Sequence, residues 1–323
     1  MNIQVSVVSI ALCTYNGEKF ISQQLDSILK QTYSHLEIII VDDGSTDKTV
    51  EILQNYKNID TRIKFFQNEK NLGYVKNFEK AISLCKGDYI ALADQDDIWN
   101  TRKIETFLSR IKSNVLIYSD AELIDDNSKN LHKNLIQPDK QLVKGHSPLS
   151  FLFDNCISGN TMMFKKELVK HILPIPDIVS FHDVWIAYVA SSLSTIIYTK
   201  ECFTFYRRYS TQVTADIEQK YSSFSDKLQV KKSRFLNDAK KSIEQFSEYK
   251  KVAFNNTKLI ILLDLLIEHN QNYQKGFFNF TLYKFLLQHQ DEIFKIKNKK
   301  HYKSQARKVA AKFKLHQLLF YSM

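Results

Sequence analysis

The sequence lacks the features that mark disulfide-rich, zinc-binding and membrane-spanning proteins. Its 323 residues include only four cysteines, which lie far apart and form no Cys-x-x-Cys pair, so neither a disulfide framework nor a zinc site is indicated. The longest apolar stretch, Leu259 to Ile267, is interrupted by Asp264 and is too short to cross a bilayer. The segment 1–4 has no charged region of the kind that begins a signal peptide. These absences predict a cytoplasmic protein.

The composition is ordinary for a globular protein, but the charge is unevenly distributed. Hydrophobic residues make up 44% and charged residues 25% of the chain, which excludes disordered and fibrous classes. Residues 217–323 contain 21 Lys and Arg against 9 Asp and Glu, a net charge of +12, whereas residues 1–216 carry 24 against 26, a net charge of −2. The basic character therefore belongs to the C-terminal third alone.

The first 120 residues alternate β-branched runs with amphipathic stretches. The predicted strands cover 5–12, 36–41, 62–66, 88–93 and 115–119. The predicted helices cover 18–31, 46–57, 72–85 and 101–111. This alternation favours an α/β fold with a mostly parallel sheet sandwiched by helices.

Beyond residue 120 the pattern changes twice. Up to residue 215 the secondary-structure signals are short and mixed: the patterns of 161–164 and 195–206 are strand-like, and that of 182–193 is helical. From 216 onward the chain is Lys-rich, without proline and almost wholly helical in pattern. We therefore predict a first domain over 1–215 and a basic α-helical C-terminal domain over 216–323.

Polar clusters follow three of the predicted strands. They are Thr14-Tyr15-Asn16, Asp42-Asp43-Gly44-Ser45 and Asp94-Gln95-Asp96-Asp97. In open α/β sheets ligands bind beyond the carboxyl ends of the strands, so the three clusters predict one site.

The cluster at 94–97 brings three carboxylates, Asp94, Asp96 and Asp97, into four residues. Placing like charges so near one another costs free energy unless a cation neutralises them. Carboxylates suit Mg²⁺ or Mn²⁺, which take their remaining ligands from water and phosphate. The implied ligand is a phosphorylated compound such as a nucleotide, and the alternative is a solvated acidic turn. In the second cluster, Asp42 can accept a hydrogen bond from a base N–H, and helix capping would explain Ser45 and Asp47 without any ligand.

Several motifs, taken in order and spacing, resemble those of family 2 glycosyltransferases over roughly residues 5–210. They are 11–17 (Ala-Leu-Cys-Thr-Tyr-Asn-Gly), 31–33 (Gln-Thr-Tyr), 41–47 (Val-Asp-Asp-Gly-Ser-Thr-Asp), 71–73 (Asn-Leu-Gly), 87–89 (Gly-Asp-Tyr) and 94–99 (Asp-Gln-Asp-Asp-Ile-Trp). The last form is most similar to the bacterial branch that contains rhamnosyltransferases of surface-polysaccharide synthesis.

The resemblance implies a GT-A (Rossmann-like) fold, a nucleoside-diphosphate sugar donor, UDP- or dTDP-linked, and a Mn²⁺ or Mg²⁺ ion on an Asp-x-Asp motif. Carried over by position, Thr14, Tyr15 and Asp42 would line the base and ribose, with Asn16 in the same donor cluster. Asp94 and Asp96 match the motif residues that face ribose and metal, and Asp97 would share that duty.

The resemblance also implies a base that removes the proton of the acceptor hydroxyl. Asp183, within the segment 181–185 (Phe-His-Asp-Val-Trp), matches the family's catalytic aspartate, and the alternative is a helix N-cap. His182 would touch the acceptor or merely cover the site, and Trp185 is placed on the same acceptor side. Gly159 would let the backbone approach a sugar ring, or it forms a simple turn before a strand.

The segment 206–210 (Tyr-Arg-Arg-Tyr-Ser) falls where many relatives carry Tyr-Arg-x-His on a loop over the pyrophosphate. Arg207 and Arg208 would then stabilise the leaving group, or they are surface arginines after an edge strand. Tyr209 stands in place of the family histidine and is a poorer metal ligand, so the arginines are expected to carry this task.

The C-terminal third carries apolar stripes at helical spacing. They are Leu259, Leu262, Leu263, Leu266 and Ile267, then Phe277, Phe280, Phe285 and Leu286, then Val309, Phe313, Leu318, Leu319 and Phe320. Such stripes form core or a homo-oligomer face. Lysines interleaved with apolar residues over 295–321 also suit peripheral binding to anionic lipid at the inner face of the cytoplasmic membrane. Nucleic-acid binding is not expected, because no recognised module accompanies the charge.

Together these features predict an inverting glycosyltransferase that transfers a sugar to a glycan or lipid-linked acceptor in capsule, O-antigen or related polysaccharide synthesis. Two other classes remain open. A nucleotidyltransferase usually begins with a Gly-rich basic phosphate loop, which the segment 14–18 (Thr-Tyr-Asn-Gly-Glu) does not resemble. A non-catalytic nucleotide-binding scaffold of a polysaccharide assembly complex is the second alternative.

Overall fold

A computed structural model describes residues 5–209, 224–272 and 278–311, with the side chains of 224–237 left out. Its strands are β1 (Val8–Thr14), β2 (Leu36–Asp42), β3 (Ile63–Gln67), β4 (Tyr89–Asp94), β5 (Ile98–Trp99), β6 (Leu116–Ser119), β7 (Glu122–Ile124), β8 (Asn130–Asn134), β9 (Met162–Lys165), β10 (Ile196–Thr199) and β11 (Thr204–Arg207). Its helices are α1 (Ile21–Leu29), α2 (Thr49–Ile59), α3 (Tyr74–Leu84), α4 (Lys103–Ile111), α5 (Val169–Ile172), α6 (His182–Leu193), α7 (Phe224–Lys251), α8 (Thr257–Gln271), α9 (Phe280–Gln288), α10 (Gln290–Ile293) and α11 (Tyr302–Ala310).

Seven strands form the large sheet in the order β10-β6-β9-β4-β1-β2-β3. All neighbouring strands are parallel except β9, which runs antiparallel to both β4 and β6. The predicted α/β fold with a mostly parallel sheet is therefore confirmed. The sequence-based strand over 195–206 was wrong as one element, because a turn at 200–203 separates β10 from β11. β11 belongs to a second sheet, in the order β5-β11-β7-β8.

The strand register brings the predicted polar clusters together. Thr14 at the end of β1 is aligned with Asp42 at the end of β2, and Cys13 is aligned with Asp94 at the end of β4. Because these three strands are parallel neighbours, their carboxyl ends form one edge. The chain after each strand therefore opens onto a common surface.

The central strands are buried on both faces, which is why their sequences read as continuous apolar runs. One face packs against α1, α2 and α4 through residues such as Leu25, Leu53 and Phe107. The other packs against α3 and α6 and continues into the C-terminal helices through Tyr249 and Leu262. A hydrogen bond of 2.7 Å from the hydroxyl of Tyr188 to the carbonyl of Tyr249 joins α6 to α7.

The C-terminal helices bury part of the apolar stripes that the sequence shows. Leu259, Leu262, Leu263 and Leu266 of α8 are buried in the same core as the large sheet, so this stripe is core. Phe280 of α9 is instead 69% exposed. The predicted boundary near 215, Phe277 and the stripe residues from Phe313 on lie outside the described residues. Within the part of the chain that is described, no helix combines the length and apolar character needed to cross a membrane.

Candidate active site

A cavity of about 430 Å³ opens at the carboxyl edge of the large sheet. Its walls come from the ends of β1 and β4, the start of α3, the turn at 158–159, the start of α6 and the end of β11. The polar and aromatic residues that line it include Thr14, Tyr15, Asp43, Tyr74, Asp94, Gln95, Asp96, Phe181, His182, Asp183, Tyr206 and Tyr209, beside Gly159. The predicted site residues Thr14, Tyr15, Asp94, Asp96, Asp183, His182 and Gly159 are therefore brought together.

The cavity is strongly acidic. Its lining contains four carboxylates, from Asp43, Asp94, Asp96 and Asp183, and neither Lys nor Arg lines it among the described residues. An anion such as a diphosphate would be repelled by this lining. A cation bound among these carboxylates would offset that repulsion for a phosphorylated ligand.

Asp94 and Asp96 have the donor chemistry for such a cation. Both face the cavity, and burial, with the nearby charges of Asp96 and Asp183, raises the pKa of Asp94 to about 7. No cluster of three or more Asp, Glu, His or Cys side chains suited to a metal occurs in the described part of the chain. Mg²⁺ and Mn²⁺ typically use one or two carboxylates together with phosphate and water. The two aspartates fit that pattern.

Asp97, predicted to share the metal, lies behind the cavity wall. It is 1% exposed, its Oδ1 accepts a 3.1 Å bond from the backbone N–H of Arg207, and its Oδ2 accepts a bond from the side-chain amide of Asn160. Both oxygens are thus used inside the protein. The structure corrects this prediction: Asp97 anchors the acidic turn to β11.

A buried lysine, absent from the sequence-based site, supports the acidic turn from within. The Lys103 ammonium donates to the carbonyl of Asn160 at 2.5 Å and to the hydroxyl of Thr204 at 3.1 Å. It also lies 3.6 Å from the ring centroid of Trp99, a cation–π contact. Burial lowers its pKa, while Asp97 and Asp94 act in the opposite direction. The i, i+4 spacing of Lys103 and Phe107 on α4, with Phe107 in the core, is the signal that could have revealed it.

The loop after β2 also differs from the prediction. The Asp42 carboxylate is fully buried and accepts bonds from the Thr14 hydroxyl at 2.9 Å and from the Ser45 backbone at 2.9 Å. It does not line the cavity, and its neighbour Asp43 does. Asp43 accepts bonds from the backbone N–H groups of Leu72 and Gly73 at 2.8 and 2.9 Å. Asp42 therefore shapes the loop, and Asp43 is the carboxylate that faces the ligand space.

Two side chains fasten the loop after β1. Asn16 has a positive φ of 48°, and its side chain accepts a 2.9 Å bond from the backbone of Thr46, so it joins two loops and does not line the cavity. Gln95 accepts from the backbone N–H of Tyr15 at 2.8 Å and donates to its carbonyl at 3.0 Å. Tyr15 is thereby held at the rim, 46% exposed. Sequence reasoning missed Gln95 because its side-chain pairing depends on the strand register.

Asp183 lies in the first turn of α6 and lines the same cavity as Asp94. Burial raises its pKa to about 6, although the backbone N–H groups of Val184 and Gly159 act against this shift. Its Oδ1 accepts a 2.7 Å bond from the backbone of Val184. A carboxylate with a pKa near neutrality is suited to general-base work.

Trp185 and Arg207 lie differently from the prediction. Trp185 is buried in the core, and its indole donates to the carbonyl of Ile172 at 2.9 Å, which corrects its acceptor-side placement. Arg207 is fully buried and donates to the carbonyls of Asp96 and Asp125 at 2.7 and 3.0 Å, so it braces the scaffold and does not line the cavity. Arg208 is exposed, 5.8 Å from the ring centroid of Tyr206.

The fold and the cavity together indicate the structural class of the protein. A doubly covered, mostly parallel sheet with an acidic cavity at its carboxyl edge is the arrangement of a nucleotide-binding α/β protein. Residues 9–173 match the model of the glycosyl transferase family 2, just over half of the chain. The chain belongs to this family, as the motifs predicted.

Curated relatives agree with this assignment. An uncharacterized glycosyltransferase of Haemophilus influenzae is 30% identical over 51% of this chain and 53% of its own length. TuaG of Bacillus subtilis, named for teichuronic acid biosynthesis, is 29% identical over 65% of this chain and 82% of its own length. WfgD of Escherichia coli, named as a UDP-Glc:α-D-GlcNAc-diphosphoundecaprenol β-1,3-glucosyltransferase, is 37% identical over 38% and 48%. The chain thus spans only about half of the Haemophilus relative.

Solved structures share the fold. TarS 1–349 of S. aureus in complex with UDP has a TM-score of 0.56 and 19% identity, over 84% of this chain and 94% of that one. The mannosyltransferase PcManGT of Pyrobaculum calidifontis, with GDP-Man and Mn²⁺, has a TM-score of 0.51 and 13% identity, over 85% and 77%. The predicted GT-A fold is confirmed.

Proposed function

We propose that this protein is an inverting glycosyltransferase that uses a nucleoside-diphosphate sugar to glycosylate a hydroxyl of a glycan or lipid-linked acceptor in bacterial polysaccharide synthesis. The observation that carries the proposal is the meeting of Asp183 with Asp94 and Asp96 in one cavity. Family membership and the names of TuaG and WfgD support the polysaccharide context.

Asp183 acts as the general base in this proposal. It accepts the proton of the acceptor hydroxyl, whose oxygen forms a bond to the anomeric carbon as the bond to the diphosphate oxygen breaks. Attack from the face opposite the leaving group inverts the configuration. Positioned bases contribute about 10²–10⁴ in rate, and the pKa of about 6 leaves Asp183 largely ionised at neutral pH.

Asp94 and Asp96 hold the divalent cation, Mn²⁺ or Mg²⁺. When bound, the ion neutralises charge on the diphosphate leaving group. Support comes from the acidic lining of the cavity, from the donor chemistry of the two carboxylates, and from the Mn²⁺ in the PcManGT structure. Thr14, Tyr15 and Asp43 contact the nucleoside. Arg208 is the arginine of the 206–210 segment still exposed enough to reach a phosphate.

The donor is a UDP- or dTDP-linked sugar in this proposal, and rhamnose is among the candidate sugars. UDP in a TarS structure and UDP-Glc in the name of WfgD support the nucleotide. A thermal-shift screen of sugar nucleotides with Mn²⁺ tests it, because a ligand at 100 times its Kd stabilises by about 2.7 kcal/mol. We expect stabilisation that EDTA removes. A screen in which no nucleoside diphosphate stabilises the protein contradicts the proposal.

We also propose that this protein is cytoplasmic and docks at the inner surface of the cytoplasmic membrane. From Ile293 to Met323 the sequence has nine Lys and Arg and neither Asp nor Glu. Exposed Lys303, Arg307 and Lys308 lie on α11, and the backbone of Asn279, which precedes the exposed Phe280, donates to Ala310 at the end of that helix at 3.0 Å. An apolar ring beside a basic helix suits anionic lipid, where each Lys or Arg near the surface contributes about 1 kcal/mol. A diphosphoundecaprenol acceptor, as in the name of WfgD, resides in such a membrane.

A further inference from the structure

The imidazole of His182 lies in the wall of the cavity with neither ring nitrogen hydrogen-bonded. The residue is 7% exposed, and both Nδ1 and Nε2 are without a partner among the described residues. Burying polar atoms without partners costs free energy, and native proteins seldom tolerate it. An unpaired ring at a cavity wall therefore indicates a partner that arrives with a ligand.

The orientation of the ring is fixed by its neighbours. It stacks on Phe78 with centroids 4.0 Å apart and an interplanar angle of 22°, and Tyr74 meets it edge-on at 6.2 Å. A Cβ added at Gly159 would lie 2.8 Å from Nε2, so a larger residue there would push the ring away. These three contacts hold the ring in the cavity wall, with Nε2 beside Gly159.

The charge state of the ring narrows the ligand chemistry. Burial lowers the pKa of His182 to about 3, so the neutral ring offers one N–H donor and one lone pair. A neutral imidazole with both functions matches a hydroxyl group, which also donates and accepts. A metal is a poorer match, because His182 forms no ligand cluster with other Asp, Glu, His or Cys side chains in the described ranges.

We propose that His182 hydrogen-bonds a sugar hydroxyl next to the reacting carbon and so contributes to sugar specificity. This inference rests on the proposed function and deepens it. Asp183 is the next residue and faces the same cavity, so the hydroxyl lies close to the site of proton transfer. The sugar belongs to the donor or to the acceptor, and the experiment below separates the two.

The first measurement needs no ligand. His182→Phe keeps a ring to stack on Phe78 and removes both unpaired nitrogens, so the melting temperature of the free protein should rise by about 2–4 °C. His146→Phe is the matched control, because His146 is paired through Nε2 with the carbonyl of Ser192 at 3.0 Å, and its Tm should fall. A lower Tm for His182→Phe would mean that the nitrogens serve the fold, and would overturn the proposal.

The second measurement separates donor from acceptor with UDP, UDP-glucose and UDP-GlcNAc in the presence of Mn²⁺. If His182 contacts the donor sugar, His182→Phe weakens sugar-nucleotide binding about 3–10-fold and leaves UDP binding unchanged. If it contacts the acceptor, donor binding is unchanged and the KM for n-octyl glycoside acceptor probes rises by a similar factor. Unchanged values in both arms overturn the proposal. If the wild-type protein binds no sugar nucleotide, the proposed function is contradicted instead. The Tm comparison then still tests whether the His182 nitrogens stabilise the fold.

Discussion

The hydroxyl of Tyr209 donates a 2.8 Å hydrogen bond to Oδ2 of Asp96, which connects the segment after β11 to the acidic turn after β4. The Tyr209 ring also packs on Phe20, with centroids 5.3 Å apart. Asp96 is one of the two carboxylates proposed to hold the cation. The phenol therefore engages an oxygen that a bound ion would use.

Tyr209→Phe is expected to tighten Mn²⁺-dependent binding of UDP by about 3–10-fold, because the carboxylate no longer has to give up a hydrogen bond before it binds the ion. Isothermal titration of UDP at fixed Mn²⁺ measures this change. Tyr56→Phe serves as the control, since the Tyr56 hydroxyl donates to a carboxylate oxygen of Asp26 at 2.7 Å and the residue does not line the cavity. Weaker binding by Tyr209→Phe would instead make the phenol part of the ligand contact.

Asp183→Asn should leave Mn²⁺–UDP binding intact and lower turnover at least about 10²-fold, because the amide cannot accept the proton. The pKa of Asp183, raised to about 6 by burial, also predicts the pH profile. The ionised carboxylate is the active form, so the wild-type rate should fall as the pH drops through about 6. Near-normal turnover of Asp183→Asn, or a rate that does not fall below pH 6, would remove Asp183 from the base role.

Substitutions of the neighbouring arginines, Arg207 and Arg208, should have very different effects on the stability of the protein. Arg207→Lys loses the planar fork that donates to Asp96, to Asp125 and, at 2.7 Å, to the side chain of Gln23, and should cost about 3 kcal/mol. Arg208→Lys, at an exposed position, should change stability by less than about 0.5 kcal/mol. Urea unfolding of both variants measures the difference. Equal stabilities would contradict the scaffold role of Arg207.

Binding to lipid should depend on both the charge and the ring at the C-terminal helices. Sedimentation with vesicles rich in phosphatidylglycerol should pull down the wild-type protein, and vesicles of phosphatidylcholine alone should not. Replacing Lys303, Arg307 and Lys308 with Gln should weaken binding by about 1 kcal/mol per charge, and Phe280→Ser should weaken it further. Equal binding to both kinds of vesicle, or binding to nucleic acid in place of lipid, would contradict the membrane proposal.

Much of the fold was predictable because periodicity reports burial directly. The strands over 36–41 and 88–93 and the helix over 182–193 were placed within a residue or two of β2, β4 and α6. The common edge was also predictable, since parallel strands end on one side. The break inside 195–206 was not, because a short turn between two strands leaves little trace in the apolar pattern.

The site was predictable at the level of segments and less so for individual side chains. Adjacent residues at a strand end point in opposite directions, so sequence placed Asp42 in the site where the structure has Asp43. Arg207 was misplaced for a different reason: its partners come from segments that are distant in sequence. Lys103 was overlooked because a lysine in an amphipathic helix is ordinarily solvated.

The most direct test of the proposed activity is the release of nucleoside diphosphate from a sugar nucleotide in the presence of Mn²⁺, without and with acceptor. The wild-type protein should release it slowly alone and faster with acceptor. Asp96→Ala should lose the metal-dependent release, and Asp183→Asn should lose the acceptor-stimulated part while it still binds the donor. If the wild-type protein binds sugar nucleotides but releases no nucleoside diphosphate under either condition, the protein is a binding scaffold and the proposed catalysis is contradicted.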